Sequence, residues 1–180
     1  MKIKMIHRVC ALFCALLLSG LDASAALNAY LVATDIRGDS TRSSWQGYVE
    51  IVGYNHEVSS PFDPQTGLAT GKRQHKPFKI LKELSASSVD FETAMIRGRS
   101  LANVEFKLVR PSQTGQETIY YIYRFTNARI VSVRDWMANN NDSSTLQLPQ
   151  MQEISFVYET IEWEAVPSGA TASDTWAVPR

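Results

Sequence analysis

Residues 71–108 read GKRQHKPFKILKELSASSVDFETAMIRGRSLANVEFKL, and the order of patterns within them decides the fold. An alternating strand enters, one short helix interrupts it, and a second alternating strand leaves. Phe78, Ile80 and Lys82 alternate with Pro77, Lys79 and Leu81, and Val104, Phe106 and Leu108 alternate with Glu105, Lys107 and Val109. A period of two is that of a half-buried strand. Between them Phe91, Ala94 and Met95 fall at i, i+3 and i+4, one narrow apolar face of a helix. Ser87 or Ser88 can cap its first turn, with Asp90 three residues after Ser87 in the position a capping box asks for. Asp90 and Glu92 then face the positive end of the helix dipole. Gly98 suits the position just past the helix, with Arg97 and Arg99 near the negative end.

Outward from this core the chain reads almost wholly as strand and turn. Residues 27–34 form a first strand, followed by a Gly-Asp-Ser turn at 38–40. Residues 45–58 form a long second strand rich in residues that suit a pleated surface. Residues 59–71 (SSPFDPQTGLATG) hold two prolines and two glycines and read as loop. Residues 73–82 and 101–110 are the strands on either side of the helix. Residues 118–125 and 128–133 pair as a hairpin or make one long bent strand. Residues 135–150 are a second polar loop, 152–166 close the sheet system, and 167–180 are a frayed tail of small residues. The fold class is mainly β: a barrel or tight two-sheet sandwich of about eight strands, spanning 26–166, with one short α-helix at its side.

The first 25 residues stand apart. Lys2, Lys4 and Arg8 make a basic head, residues 9–18 an apolar run too short to span a bilayer, and Ala23-Ser24-Ala25 an A-x-A cleavage signal. This is a secretory signal peptide cut between Ala25 and Ala26, so the expected location is secreted or periplasmic. Its removal takes both cysteines, Cys10 and Cys14, and leaves fifteen basic against seventeen acidic side chains. A mature chain without thiols has no disulfide and no thiol chemistry. A near-neutral domain lacks the basic stripe of a nucleic-acid binder.

The residues also carry a resemblance. His75-x-x-Phe78-x-Ile80-x-Lys82, then Ser88, then Ala94-x-x-x-Gly98 and a valine strand resemble the haemolysin-coregulated protein (Hcp) family, the tube proteins of bacterial type VI secretion. Ala29-Tyr30-Leu31, Ile36-Arg37-Gly38-Asp39-Ser40 and Trp45-Gln46-Gly47-Tyr48-Val49-Glu50-Ile51 are similar to the family's opening strand, turn and second strand. Tyr121-x-Tyr123-x-Phe125-x-Asn127-Ala128 resembles its middle hairpin. Glu153-Ile154-Ser155-Phe156-Val157-Tyr158-Glu159-x-Ile161-Glu162-Trp163 resembles its closing strands. No motif is specific alone; their order from about Asn28 to Trp163 is specific together.

The resemblance implies a structural role: subunits close into a hexameric ring, rings stack into a hollow tube, and the lumen carries effector proteins, with sheath and spike proteins as further partners. Segment 58–72 matches the region that in the family reaches toward the neighbouring ring. It makes Val58, Pro61, Phe62, Pro64, Gly67, Leu68, Gly71 and Lys72 the candidate subunit and ring interface, with Phe62 and Leu68 as buried anchors. The leader departs from the family, whose tubes are built in the cytoplasm without a cleavable signal. An alternative is an exported periplasmic module that holds a peptide or glycan as a monomer, using aromatic residues such as Trp45, Trp136 and Trp163.

Chemistry is hard to assemble from the remaining residues, and the expectation is a non-enzyme with no catalytic residues, cofactor or metal. His56 and His75 lie on different strands without a Cys, His or carboxylate at ligand spacing. No serine sits in G-x-S-x-G. Glu159, Glu162 and Glu164 read as a solvated strand face. Gly67-Leu68-Ala69-Thr70-Gly71-Lys72 is one residue short of a phosphate loop, and Arg73 stands where Ser or Thr would hold magnesium. Arg37-Gly38-Asp39 spells an integrin-binding tripeptide but reads as a turn. Trp176 in the tail is an apolar ring that gains by docking on the barrel or a neighbour.

Overall fold

The computed structural model describes residues 27–112, 115–142, 144–145 and 148–176. The leader and the Ala25–Ala26 junction lie outside them. Eleven strands and one α-helix follow in order: β1 (Asn28–Ala33), β2 (Val49–Ile51), β3 (Gly53–Asn55), β4 (Val58–Ser59), β5 (Gln74–His75), β6 (Phe78–Glu83), α1 (Ala86–Ile96), β7 (Ser100–Pro111), β8 (Glu117–Trp136), β9 (Met151–Val157), β10 (Thr160–Ala165) and β11 (Ala170–Thr175). All pairing is antiparallel. The main path runs β2-β1-β7-β8-β9-β6-β3, with β10 added to the free edge of β8 and β11 to β10. Only Val52 separates β2 from β3, and its N–H donates to the Leu81 carbonyl at 2.8 Å. The two ends of the path are therefore consecutive pieces of one bent strand, and the sheet closes on itself.

The count exceeds the expected eight because expected strands break, at Val52 between the two ends of the closed sheet and at the passage into the separate β4–β5 ladder, and because the tail adds β11. The expected strand 45–58 is three strands, and Trp45 lies before them in a 3-10 turn (Ser43–Trp45). Trp45 leaves the ladder because its ring stacks on Tyr30 at 4.2 Å and its Nε1 donates to Glu117. Residues 117–136, by contrast, are one 20-residue bent strand. On one edge of it β10 pairs with residues 122–126 and β9 with residues 129–136. The bend falls at Asn127, in the left-handed region (φ 50°) that Asn tolerates better than most residues. The Glu159 N–H donates to the Thr126 carbonyl there, and Asn127 Nδ2 donates to Glu159 Oε2.

The core is aromatic. Phe78 lies 5.3 Å from Phe106 and 4.8 Å from Phe125, in edge and tilted arrangements that suit ring quadrupoles. All three are buried, as are Ile80, Val104 and Ile154. The helix contributes Phe91 and Ala94, both buried; Met95 sits half out at the rim, and Ser87 and Ser88 complete the inner face instead.

The helix starts two residues earlier than the sequence suggests. Ser85 is the N-cap and forms the capping box with Ser88, whose Oγ accepts from the Ser85 N–H at 3.1 Å. The reason is a buried side chain three residues upstream. Buried Lys82 donates to Ser85 Oγ (2.7 Å), Ser88 Oγ (2.9 Å) and the Glu83 carbonyl, and so fixes both serines. The anion at the helix N-terminus is also not Asp90 but Asp39, whose Oδ2 accepts from the Ser87 N–H at 2.9 Å. Asp90 instead receives three hydrogen bonds from Arg37. Arg37 and Asp39 are thus both engaged with the helix. The other end is as expected. Gly98 has φ 59°, its N–H donates to the Met95 carbonyl and that of Arg99 to the Ala94 carbonyl, a complete Schellman motif.

The expected frayed tail is a correction as well. Ala170–Thr175 pairs with β10 over six residues, turned at Gly169 (φ 66°). Small residues there are strand residues because their backbone finds a ladder on β10, which composition does not reveal.

Candidate assembly surface

Segment 58–75 is more ordered than a loop of two prolines and two glycines suggests. Val58 pairs with His75 and Ser59 with Gln74. The ladder continues outward: the Thr70 N–H donates to the Pro61 carbonyl at 2.9 Å, Phe62 bridges to Ala69, and the Asp63 N–H donates to the Leu68 carbonyl at 2.8 Å. At the tip Asp63 Oδ1 accepts from the Gln65 N–H at 2.8 Å, a bond that holds this carboxyl below its ordinary range. Gly67 takes φ 70° to close the turn, and its N–H donates to the Asp63 carbonyl. Gly71 faces Pro61, where a Cβ would meet Pro61 Cγ at 3.4 Å. The segment is therefore a prefolded hairpin arm.

The structure brings the named residues together but not in the expected state. Within the protomer Phe62 is 65% exposed and Leu68 69% exposed, so neither is a buried anchor here. The reason is geometric: among the described residues their backbone atoms pair within the arm, and no second layer covers it. Pro64, Gly67, Gly71 and Lys72 are exposed, while Val58 and Pro61 are half-buried. A second apolar surface lies on the outer side of the helix, where Val89 and Ile96, seven residues apart, are 60% and 84% exposed. The outer edge of β11 has no strand partner among the described residues.

The root of the arm holds a cluster that pattern reading missed. His56, just before β4, and His75, in β5, both reach the Tyr158 hydroxyl at 3.0 Å. His75 Nε2 lies 3.1 Å from Asp174 Oδ2 in β11. Arg73 donates to both oxygens of the same carboxylate, at 2.7 and 2.6 Å. The Arg73 guanidinium, first among several donors, lowers the Asp174 carboxyl to about 2. Burial raises the Tyr158 phenol, with the Asp174 charge adding to it. Trp176 stacks on His75 at 5.5 Å and meets Tyr158 edge-on at 5.1 Å. The residue expected to dock does so on this cluster. The one usable sequence signal was that His56 and His75 bracket the arm; the third member, Tyr158, is more than eighty residues away.

The other sequence candidates have structural partners. Arg124 bridges Glu162 (2.7 Å), Glu164 (2.6 Å) and Glu105 (3.3 Å) across β7, β8 and β10. Trp45 belongs to a buried cluster with Tyr30 and Val109 rather than to a groove. Among the described residues no helix is long and apolar enough to cross a membrane.

Comparison with known proteins gives the same overall fold. The profile of the family described as "Type VI secretion system effector, Hcp" matches residues 30–164. The "Major exported protein" of Pseudomonas aeruginosa is 34% identical over 145 residues, 81% of this chain and 84% of that protein. Among solved structures, one described as "Crystal structure of Hcp protein" superposes with a TM-score of 0.80 at 24% identity, over 86% of this chain and all of that one. The Hcp1 protein of E. coli EAEC 042, solved with two tryptophan substitutions, gives 0.75 at 29% identity over 84% of this chain and all of its own. Secreted protein Hcp3 of Pseudomonas aeruginosa gives 0.65 at 27%, over 85% and 100%. With the matched profile spanning the barrel from β1 into β10, the chain belongs to the Hcp family of the type VI secretion system.

Proposed function

We propose that this chain is a structural tube subunit. Copies close into a hexameric ring, rings stack into a hollow tube, and the lumen carries effector proteins to the spike under the drive of a sheath. The observation that carries this reading is the arm: a hairpin with its own complete ladder that holds Phe62 and Leu68 out in solvent. Large apolar side chains on a preformed projection gain free energy when a neighbour covers them, about 1.5–3 kcal/mol for each fully buried. Preorganised, they lose little conformational entropy in doing so. The exposed helix face and the open edge of β11 offer further surface on other sides of the protomer. A ring needs such unlike surfaces, because its contacts are heterologous. The site is one of assembly, and we assign it no chemical step.

The leader expected at 1–25 belongs to the same proposal: export would place the mature chain in the periplasm or outside the cell. Negative-stain microscopy and sedimentation of the protein starting at Ala26 test the assembly. Ring-sized particles are expected, and Phe62→Ser combined with Leu68→Ser should reduce ring stacking while leaving the melting temperature unchanged. A monomer at every concentration would overturn the reading and favour the monomeric binding module.

A further inference from the structure

We propose that the chain His56–Tyr158–His75–Asp174–Arg73 is an acid-labile latch, holding the arm root and β11 to the barrel at neutral pH and releasing both when the two imidazoles are protonated together. The inference concerns the protomer and stands whether or not rings form.

Hydrogen-bond accounting carries it. Asp174 accepts from Arg73 and from His75, so His75 Nε2 bears a proton. In the neutral ring Nδ1 is then the acceptor, and Tyr158 donates to it. The Tyr158 oxygen in turn accepts from His56 Nε2–H. Each link is satisfied in one direction. A first proton is tolerated: with His75 a donor at both nitrogens, beside the Asp174 carboxylate and against the Trp176 face, His56 moves its own proton to Nδ1 and Tyr158 donates to the freed Nε2. A second proton is not. With both imidazoles donating, the Tyr158 proton has no acceptor, and two cations face each other across one hydroxyl.

The surroundings offer His56 no relief. Among the described residues its neighbours are Phe78, Tyr123 and Trp163 at ring distances of 5.4, 5.8 and 6.0 Å, with Tyr158 beyond. The phenols of Tyr123 and Tyr158 are raised by burial and stay neutral. Asp174 is the one carboxylate of the cluster; it is shared between Arg73 and His75 and does not reach His56. Burial, with the His75 charge adding to it, lowers the His56 imidazole. A depressed histidine binds its proton more readily once the cluster opens, so closure weakens as pH falls below the ordinary value of about 6.5. Asp174 keeps its charge until about pH 2 and takes no part in that window.

The elements released are defined by the contacts. Asp174 and Trp176 are the side-chain ties of β11 and its end; Arg73, His75 and the preceding His56 are those of the arm root. Backbone pairing with β10 and within the arm would remain, loosened.

Hydrogen exchange of the purified full chain, corrected for the intrinsic pH dependence of exchange, tests this. Between pH 7.5 and 5.0, protection of Gln74–His75 and Ala170–Thr175 should fall by up to about tenfold per pH unit below 6.5, one proton's worth. β7 should not change. His56→Phe combined with His75→Phe keeps aromatic rings at both positions and removes both imidazoles, and should hold the protection of β11 flat down to pH 5.0. Flat protection in the unaltered chain, or the same slope in the double variant, overturns the latch. If that variant does not fold, the His56 ring protons can be titrated by NMR in the unaltered chain. A midpoint well below 6.5 that coincides with the loss of β11 protection is expected; an ordinary midpoint without that loss overturns the proposal.

Discussion

Gly38 sits where no side chain can exist. A Cβ built on it would lie 2.1 Å from the carbonyl carbon and oxygen of Gly47 and 2.4 Å from the Tyr48 nitrogen. Carbon atoms rest at about 3.5–4 Å, and both neighbours are backbone, so Gly38→Ala must push the facing backbones apart by more than about 1 Å. That gap holds the Ser40 N–H to Tyr48 carbonyl bond at 2.9 Å, and the same turn aims Asp39 at the Ser87 N–H. Losing a backbone bond costs about 1 kcal/mol and a bond to a charged group about 1.5–3, so Gly38→Ala should cost about 3 kcal/mol. For a domain of this size that is a fall in Tm of about 6–12 °C. Two other glycines calibrate the result. Gly47 has φ 80° with open space around it, so Gly47→Ala should cost only the left-handed penalty, about 1–2 kcal/mol. Gly53 meets only Leu81 Cβ at 3.8 Å, and Gly53→Ala should be near neutral. Urea unfolding followed by tryptophan fluorescence gives all three. The order Gly38, Gly47, Gly53 is required. A Gly38→Ala cost within about 1 kcal/mol of Gly53→Ala, or below that of Gly47→Ala, would refute the close-approach argument.

Three further outcomes can be measured on the same footing. Lys82→Ala takes the lysine donor from buried Ser88 and leaves a void where the buried stem packed, and should cost about 3 kcal/mol in urea unfolding; Lys82→Met, which keeps the stem's packing and removes the desolvated charge, should cost clearly less. Arg37→Ala breaks an ion pair in which the arginine is 84% exposed, and should leave the urea midpoint nearly unchanged even though it removes two side-chain hydrogen bonds to Asp90; the third, from the Arg37 backbone N–H, stays. Tyr158→Phe removes the one oxygen that two histidines share and should cost about 1–3 kcal/mol at pH 7.5 but less at pH 5.0, where that oxygen no longer serves both rings; an equal cost at both pH values would contradict the hydrogen-bond directions assigned to the cluster.

Much of the fold was legible from residues alone, for local reasons. The period-two runs at Phe78–Ile80–Lys82 and Val104–Phe106–Leu108 state which face is buried, and even Lys82 faces inward as its place in the pattern says. Gly98 ends the helix because an αL position favours glycine, and that is visible in one residue. The order of motifs also announced the family. The alternation could not say where a strand would break, so 45–58 became three strands, and it left open whether 118–133 was a hairpin or the one bent strand that 117–136 makes.

The start of the helix, the state of the arm and the histidine cluster were decided only in three dimensions. Ser85 rather than Ser87 caps the helix because the strand buries Lys82 three residues upstream of it and folding brings Asp39, 48 positions away, to the Ser87 N–H. Phe62 and Leu68 are exposed because the arm pairs with itself, a fact about neighbours rather than about side-chain type. His56, Tyr158, His75 and Asp174 meet because closing the barrel brings the β9–β10 turn and β11 under the root of the arm. Periodicity and turn chemistry are properties of adjacent residues, and a single sequence records them. Contacts between residues a hundred positions apart are set by how the elements pack together, and only the folded chain records those.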